Sequence, residues 1–246
     1  MILNLLQFGR VPYAEGLALQ KAFIEARYED RTGNTLLLLE HPPVLTLGRN
    51  SSRANILASD EFLAYRGVEV HEINRGGDVT YHGPGQLVGY PIFDLRSFTP
   101  RMGAVDFVRK IEEALIRACG DFGVKTTRVA GRTGVWTMAG GSIQEKKIAA
   151  IGVHISRGIT SHGFAFNVDP DLRDFQLIVP CGIADREVTS LEREVDPPPA
   201  MEAVRNSVAR QFGHVFNSQV LWIDSPCDLL PELKTISGAV AANADL

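Results

Sequence analysis

Cysteine is scarce in this chain: three residues in 246, Cys119, Cys181 and Cys227, odd in number and far apart. That spacing argues against a disulfide framework and against a CxxC zinc knuckle, so each thiol needs its own explanation. A basic excess is also missing. With 25 Lys and Arg against 29 Asp and Glu, the formal charge is -4, and the pI of about 5.9 leaves no field to gather nucleic acid. No apolar run approaches the roughly 18 residues of a membrane span. The opening Met1-Ile2-Leu3-Asn4-Leu5-Leu6-Gln7 lacks the basic region and small-residue cleavage site of a leader. The expectation is a soluble cytoplasmic protein of a bacterium, with no membrane and no nucleic-acid partner. The six histidines show no HExxH or paired-ligand spacing, so no metal is expected. There is no GxxxxGK[ST] loop, no GxGxxG with its acidic partner and no GxSxG elbow. Nucleotide chemistry and serine acyl transfer therefore lack support, and no cofactor is expected.

What is present is 45% apolar residues, enough for one well-buried α/β or α+β core. Helical spacing marks Tyr13 to Ala26, Ala104 to Ala118 with Gly120 as its cap, and Met201 to Phe216. The run Thr35-Leu36-Leu37-Leu38-Leu39 reads as a strand covered on both faces, and Val44 to Leu47 resumes after His41-Pro42-Pro43. Ser59-Asp60 starts a short capped helix, and Val68 to Ile73 alternates as a strand. Leu87 to Phe93 is a strand whose Pro91 suggests an edge or a bulge. Val124 to Val129 and Gly134 to Thr137 flank a turn at Gly131, and residues 139–142 are loose. Lys147 to Ser156, a turn at Arg157-Gly158, and Ile159 to Val168 form the clearest hairpin. Residues 1–225 are expected to be a single domain, and 226–246 a C-terminal tail, partly disordered.

The chain is organised around Asn74-Arg75-Gly76-Gly77-Asp78-Val79-Thr80-Tyr81-His82-Gly83-Pro84-Gly85-Gln86-Leu87. Its glycines and its Gly-Pro-Gly break read either as a loop shaped to a ligand or as an ordinary connection. A candidate nucleophile is Cys181, between Pro180 and Gly182 in an irregular stretch where reactive groups tend to be displayed. An unperturbed thiol titrates near ~8.5, so a nearby ammonium or a histidine base would be needed to supply thiolate. Lys147 is a candidate because it opens an otherwise apolar strand, although a strand-end lysine is more often simply solvated. Cys119, on the apolar side of its helix, reads as a small buried hydrophobe.

Arg75-Gly76-Gly77-Asp78-Val79-Thr80-Tyr81-His82 through Pro91 resembles the signature of the lipoyl(octanoyl) transferases, octanoyl carrier-protein:protein transferases of lipoate synthesis. The resemblance continues at Glu40-His41-Pro42-Pro43-Val44, at 147–153, at His162-Gly163-Phe164-Ala165-Phe166-Asn167-Val168 and at Ile178-Val179-Pro180-Cys181-Gly182-Ile183. It implies a mixed sheet flanked by helices, like the catalytic domain of biotin and lipoate protein ligases, with residues 1–225 as the catalytic acyltransferase domain. It further implies that Cys181 takes the octanoyl group from octanoyl-acyl carrier protein as a thioester and that Lys147 lowers its pKa. The acceptors implied are apo lipoyl domains of 2-oxoacid dehydrogenases and the glycine cleavage H protein, acylated on a lysine. The substrate-binding residues implied are Arg75, Gly76, Gly77, Asp78, Val79, Thr80, Tyr81 and His82, then Ala150, Ile151 and Gly152, and Gly163, Phe164 and Ala165. Their small residues are expected to leave room for methylenes. Two rivals remain open: an ATP-dependent lipoate or biotin ligase, and a catalytically silent module that binds carrier or lipoyl domains.

Overall fold

Apolar residues on both faces of the same strands set the architecture. In β2 (Asn34–Glu40), Leu36 and Leu38 enter one core cluster while Leu37 and Leu39 enter another, because successive strand side chains point to opposite faces. The uninterrupted leucine run thus reports a sheet covered on both sides. The computed structural model describes residues 1–138, 144–179 and 187–235.

In chain order the elements are β1 (Ile2–Arg10), α1 (Tyr13–Tyr28), β2, β3 (Val44–Leu47), α2 (Asp60–Tyr65), β4 (Glu69–Glu72), β5 (Thr80–His82), β6 (Gln86–Ile92) and α3 (Ala104–Asp121). There follow β7 (Thr126–Val129), β8 (Arg132–Thr137), β9 (Lys147–Ser156), β10 (Ile159–Asn167), α4 (Leu191–Glu194), α5 (Met201–Val215) and β11 (Gln219–Ile223). Among the described residues, eight strands form one mixed sheet in the order β11-β1-β2-β6-β10-β9-β8-β7, and β4-β3-β5 form a second, smaller sheet. The β11-β1-β2 part is parallel and the remainder antiparallel. On one face α3 and α5 bury Phe107, Ile111, Val208 and Phe212; on the other α1 buries Leu19, Phe23 and Ala26. Each of the larger side chains contributes roughly 1.5–3 kcal/mol of burial free energy. The small sheet and the turn at Leu172–Leu177 enclose a third cluster around Leu45, Val79 and Tyr81.

The expected helices and hairpin form, with Arg157 and Gly158 both at positive φ in the two-residue turn that suits strand twist. Several expectations are corrected. Ile2 to Gln7, for which no strand was expected, is most of β1, a strand paired on both sides. Strand β11 had no signal, and β5 lies inside the stretch read as loop. Pro91 is in a central strand, not an edge, since β6 pairs with β2 and β10. The missing N–H is absorbed by a local break in β10, where His162 takes φ 55 and its N–H donates to Gln20 Oε1 at 2.7 Å. Helix α3 runs through Gly120; the glycine at positive φ that ends it is Gly123. Of the expected tail, Leu230 and Leu233 pack into the α1-side core, and 236–246 lie outside the described residues, as do 139–142.

Glu112 on α3 is fully buried and holds three partners: Arg109 at 2.6 Å, Arg128 at 3.1 Å and the Gly134 N–H at 3.1 Å. Glu112→Ala strands that N–H and leaves a void, while the arginines remain partly solvated. The expected loss is about 2–4 kcal/mol in urea unfolding; a loss under about 1 kcal/mol would show the network to be dispensable.

Candidate active site

A cavity of about 250 Å³ lies between the α1 face of the large sheet and the 75–82 stretch. Its floor is built by alternation: Gln86, Val88 and Tyr90 of β6, Gly163, Ala165 and Asn167 of β10, and Ala150 and Gly152 of β9 share one face. Ala150 pairs with Ala165, which pairs with Val88, so the apolar positions fall level across three strands. Lys147 lines the same cavity at the start of β9.

The structure brings together every expected substrate-binding residue except Tyr81. Tyr81 points away, donating to Asp174 Oδ2 at 2.7 Å and packing on Phe175 in the third cluster. Cys181 lies outside the described residues. The chain on both sides of it is placed. Val179 N–H donates to Asn55 O at 2.8 Å, Glu187 O accepts from Lys147 N–H at 3.0 Å, and Thr189 N–H donates to Lys147 O at 2.9 Å. The segment that carries Cys181 therefore re-enters the described structure alongside Lys147. The Lys147 ammonium sits 4.7 Å from the Trp136 ring centroid, a cation–π contact.

Arg75 is buried and its guanidinium is fixed: Nη2 donates to Thr46 O at 2.6 Å and Thr46 Oγ1 at 2.9 Å, and Nη1 to Gly76 O at 3.1 Å. Three histidines near it stay neutral. Burial lowers His41 to about 4, and burial with His41 and Arg75 nearby lowers His82 to about 3. Burial and Arg75 lower His162 to about 4. Their tautomers follow from their partners. His41 Nδ1–H donates to Val11 O and its Nε2 accepts from Tyr90 O–H, both at 2.6 Å. His82 Nδ1–H donates to Gln86 Oε1 at 2.7 Å, and Gln86 Nε2 donates to Asn167 Oδ1 at 2.9 Å. Asn167 Nδ2 in turn donates to Thr189 O at 2.9 Å. This chain of donors ties the 75–82 stretch to the residues that follow Cys181. His162 Nε2–H donates to Asn74 Oδ1 at 2.7 Å.

Because these folded-state values lie below the ordinary histidine value near ~6.5, the unfolded chain takes up protons that the folded chain refuses. Stability should be intact above pH 6.5 and fall as pH drops from there toward 4, by up to about 1.4 kcal/mol per pH unit for each histidine. Urea midpoints between pH 7 and 5 check this; a flat profile would contradict burial of the neutral rings.

The glycines serve close backbone approach more than open space. A Cβ on Gly152 would lie 2.7 Å from Gly76 O, and one on Gly163 would lie 2.0 Å from Gly89 O. Sequence reasoning missed Tyr13, Tyr90, Gln86, Asn167 and Trp136 as cavity residues. Only Gln86, Tyr90 and Asn167 carried a signal, as members of the quoted motifs. Cys119 is confirmed as a core thiol: fully buried and pushed up to about 12 by burial. Among the described residues no cluster could hold a metal ion, and no helix is long and apolar enough to cross a membrane.

The pattern of the lipoyl protein ligase A/B catalytic domain matches residues 12–213. An octanoyltransferase of Acidobacterium capsulatum is 73% identical over 244 residues, covering 96% of this chain and 99% of its own. One of Koribacter versatilis is 55% identical, covering 94% and 90%. A bi-partite lipoate protein ligase from Thermoplasma acidophilum superposes with a TM-score of 0.70 at 19% identity, covering 94% and 90% of the two chains. The biotin protein ligase of Aquifex aeolicus superposes with a TM-score of 0.53 at 14% identity over 87% and 70%; both are likenesses of fold. The chain belongs to the lipoyl protein ligase A/B catalytic-domain family and, within it, to the lipoyl(octanoyl) transferases. Its fold is that of the biotin and lipoate protein ligase catalytic domains.

Proposed function

We propose that this protein is an acyltransferase of lipoate biosynthesis that moves an octanoyl group from octanoyl-acyl carrier protein to a lysine of an apo lipoyl domain. The acceptors are the lipoyl domains of 2-oxoacid dehydrogenases and the glycine cleavage H protein, and residues 1–225 act as one catalytic domain in the cytoplasm. The observation that carries this reading is an apolar cavity with Lys147 on its wall and the segment holding Cys181 re-entering beside that lysine.

In the first step the Cys181 thiolate attacks the octanoyl carbonyl. A carbon–sulfur bond forms to the enzyme, the bond to the carrier's thiol breaks, and the carrier thiolate takes up a proton. In the second step the acceptor amine attacks, the Cys181 thiolate leaves, and the amine's proton passes to a base. The Lys147 ammonium favours the thiolate electrostatically in both steps. Thioester exchange is nearly balanced and amide formation is downhill, so neither step needs ATP. Two successive half-reactions on one nucleophile predict ping-pong kinetics.

Octanoyl burial against Val88, Ala150 and Ala165 contributes on the order of 5 kcal/mol at ~0.8 kcal/mol per methylene. Arg75 to Thr80, His82, Ala150 to Gly152 and Gly163 to Ala165 form the walls. Intact-mass measurement after incubation with octanoyl-acyl carrier protein tests the proposal: an octanoyl adduct without ATP supports it. Acylation of a lipoyl domain only when ATP and free octanoate are added would replace it with the ligase reading.

A further inference from the structure

The cavity is polar at both ends and mostly apolar between. Lys147 and Asn167 line it toward one end and Tyr13 and Tyr90 toward the other, with His82, bonded to Gln86 and stacked on Tyr13, between them. The two ends are set by strand geometry. Gly152 pairs with Gly163, one residue on from the Phe164–Gly89 pair and so level with Tyr90. Lys147 to Gly152 is five steps along β9, about 16 Å at strand rise. Along β6, Gln86 to Tyr90 is four steps, about 13 Å.

The far end is built rigidly. Tyr13 is the first residue of α1 and is 2% exposed. Its ring packs on His41 and His71, each with centroids 5.0 Å away, and stacks with His82 at 6.2 Å. Helix α1 is drawn down on this cluster at Gly16, where a Cβ would lie 2.8 Å from the His41 ring. Tyr90 is pinned through its O–H to His41, which is pinned in turn to Val11 O. The Tyr13 hydroxyl differs: it makes no hydrogen bond among the described residues, although the residue lines the cavity. Burial raises both phenols above the ordinary tyrosine range, so they remain neutral donors.

We propose that Tyr13, backed by the Tyr90–His41 pair, is the chain-length stop of the acyl pocket. The inference rests on the octanoyl-transfer reading for the orientation of the chain, with the carbonyl toward Lys147 and the methyl toward Tyr13. A chain that ends short of the phenol leaves its hydroxyl to water in the cavity. A longer chain either meets a ring that cannot move, being packed on three histidines, or covers an unpartnered hydroxyl. Both are unfavourable. The stop therefore combines a steric limit with a polar one, and it selects the length of a saturated chain without contacting the reacting carbonyl.

The test is binding of straight-chain carboxylates from six to twelve carbons by calorimetry, with adduct formation from octanoyl-acyl carrier protein measured in parallel. Wild-type affinity should rise with length to a turning point and then fall. Tyr13→Phe removes the hydroxyl, and Tyr13→Leu also shortens the side chain; circular dichroism and melting confirm that both fold. Tyr13→Leu should move the turning point to longer chains and raise the ratio of ten-carbon to eight-carbon affinity roughly tenfold, two methylenes' worth of burial. Tyr13→Phe, which keeps the ring and removes only the polar limit, should move it in the same direction by less. A turning point unchanged in both folded variants, or none in the wild type, would overturn the stop. A shifted turning point with no adduct from octanoyl-acyl carrier protein would leave the stop standing and sink the transferase reading instead.

Discussion

Cys181→Ala protein should keep its own mass after incubation with octanoyl-acyl carrier protein, whereas the wild type gains one octanoyl group. Overall transfer to a lipoyl domain should fall on the order of 10⁵-fold or more, the scale seen when a covalent nucleophile is removed. Cys181→Ser should also lack the adduct, since a hydroxyl without an activating base is a far weaker nucleophile than a thiolate. Mass location matters, because the chain holds two other thiols. Cys119 is an internal control: burial in the α3 core raises its pKa to about 12 and leaves it no access to an acyl donor. Cys227 lies in a short turn near the C-terminal end of the described chain. An adduct that persists in Cys181→Ala would move the nucleophile elsewhere. An adduct absent from the wild type would remove the covalent mechanism altogether.

The parts of the molecule that were legible in the sequence are those where a local pattern and the tertiary environment agree. Leu36 to Leu39 announced a strand buried on two faces, and the hairpin at 147–168 carried both alternation and a glycine turn. Phe23, Leu115 and Phe212 lie on helix faces that the spacing marked. β1 escaped notice because Asn4 and Gln7 interrupt its apolar run, and β11 because it is an edge strand with Leu221 and Trp222 exposed. Pro91 pointed to an edge or a bulge by a sound rule, since a proline costs a ladder bond; the strand is central, and a local break in β10 at His162 makes the adjustment.

The site was legible as a set of motifs and not as a shape. Tyr13 reaches the cavity from a helix more than sixty residues before Asn74, with nothing in its neighbourhood to mark it. Gly152 and Gly163 were read as room for substrate, yet their missing Cβ atoms let backbone meet backbone. Such contacts belong to tertiary packing, which spacing along the chain does not encode.

Lys147→Ala should leave the fold intact and raise the pH at which the Cys181 thiol is alkylated. On the proposed mechanism the Lys147 ammonium favours the Cys181 thiolate, so the alkylation midpoint should lie below the ordinary ~8.5 and move toward it when the charge is removed. At pH 7 the thiolate fraction, and with it acyl-enzyme formation, should fall roughly 8- to 25-fold if the wild-type midpoint lies one to two pH units lower. The backbone around Lys147 is secured independently of its side chain, by the N–H to Glu187 O and the carbonyl to Thr189 N–H. Truncation therefore removes the charge without releasing the segment that follows Cys181. The lost contact with Trp136 is a structural side effect, and Lys147→Met isolates it by keeping most of the apolar stem over the ring. If Met and Ala raise the midpoint equally, the charge is responsible. If Met behaves as wild type, packing on Trp136 orders the site and Lys147 has no electrostatic role. An arginine substitution sharpens the distinction, since it retains the charge but carries it on a larger, planar group. It should hold the midpoint low, because the positive charge beside the sulfur is kept.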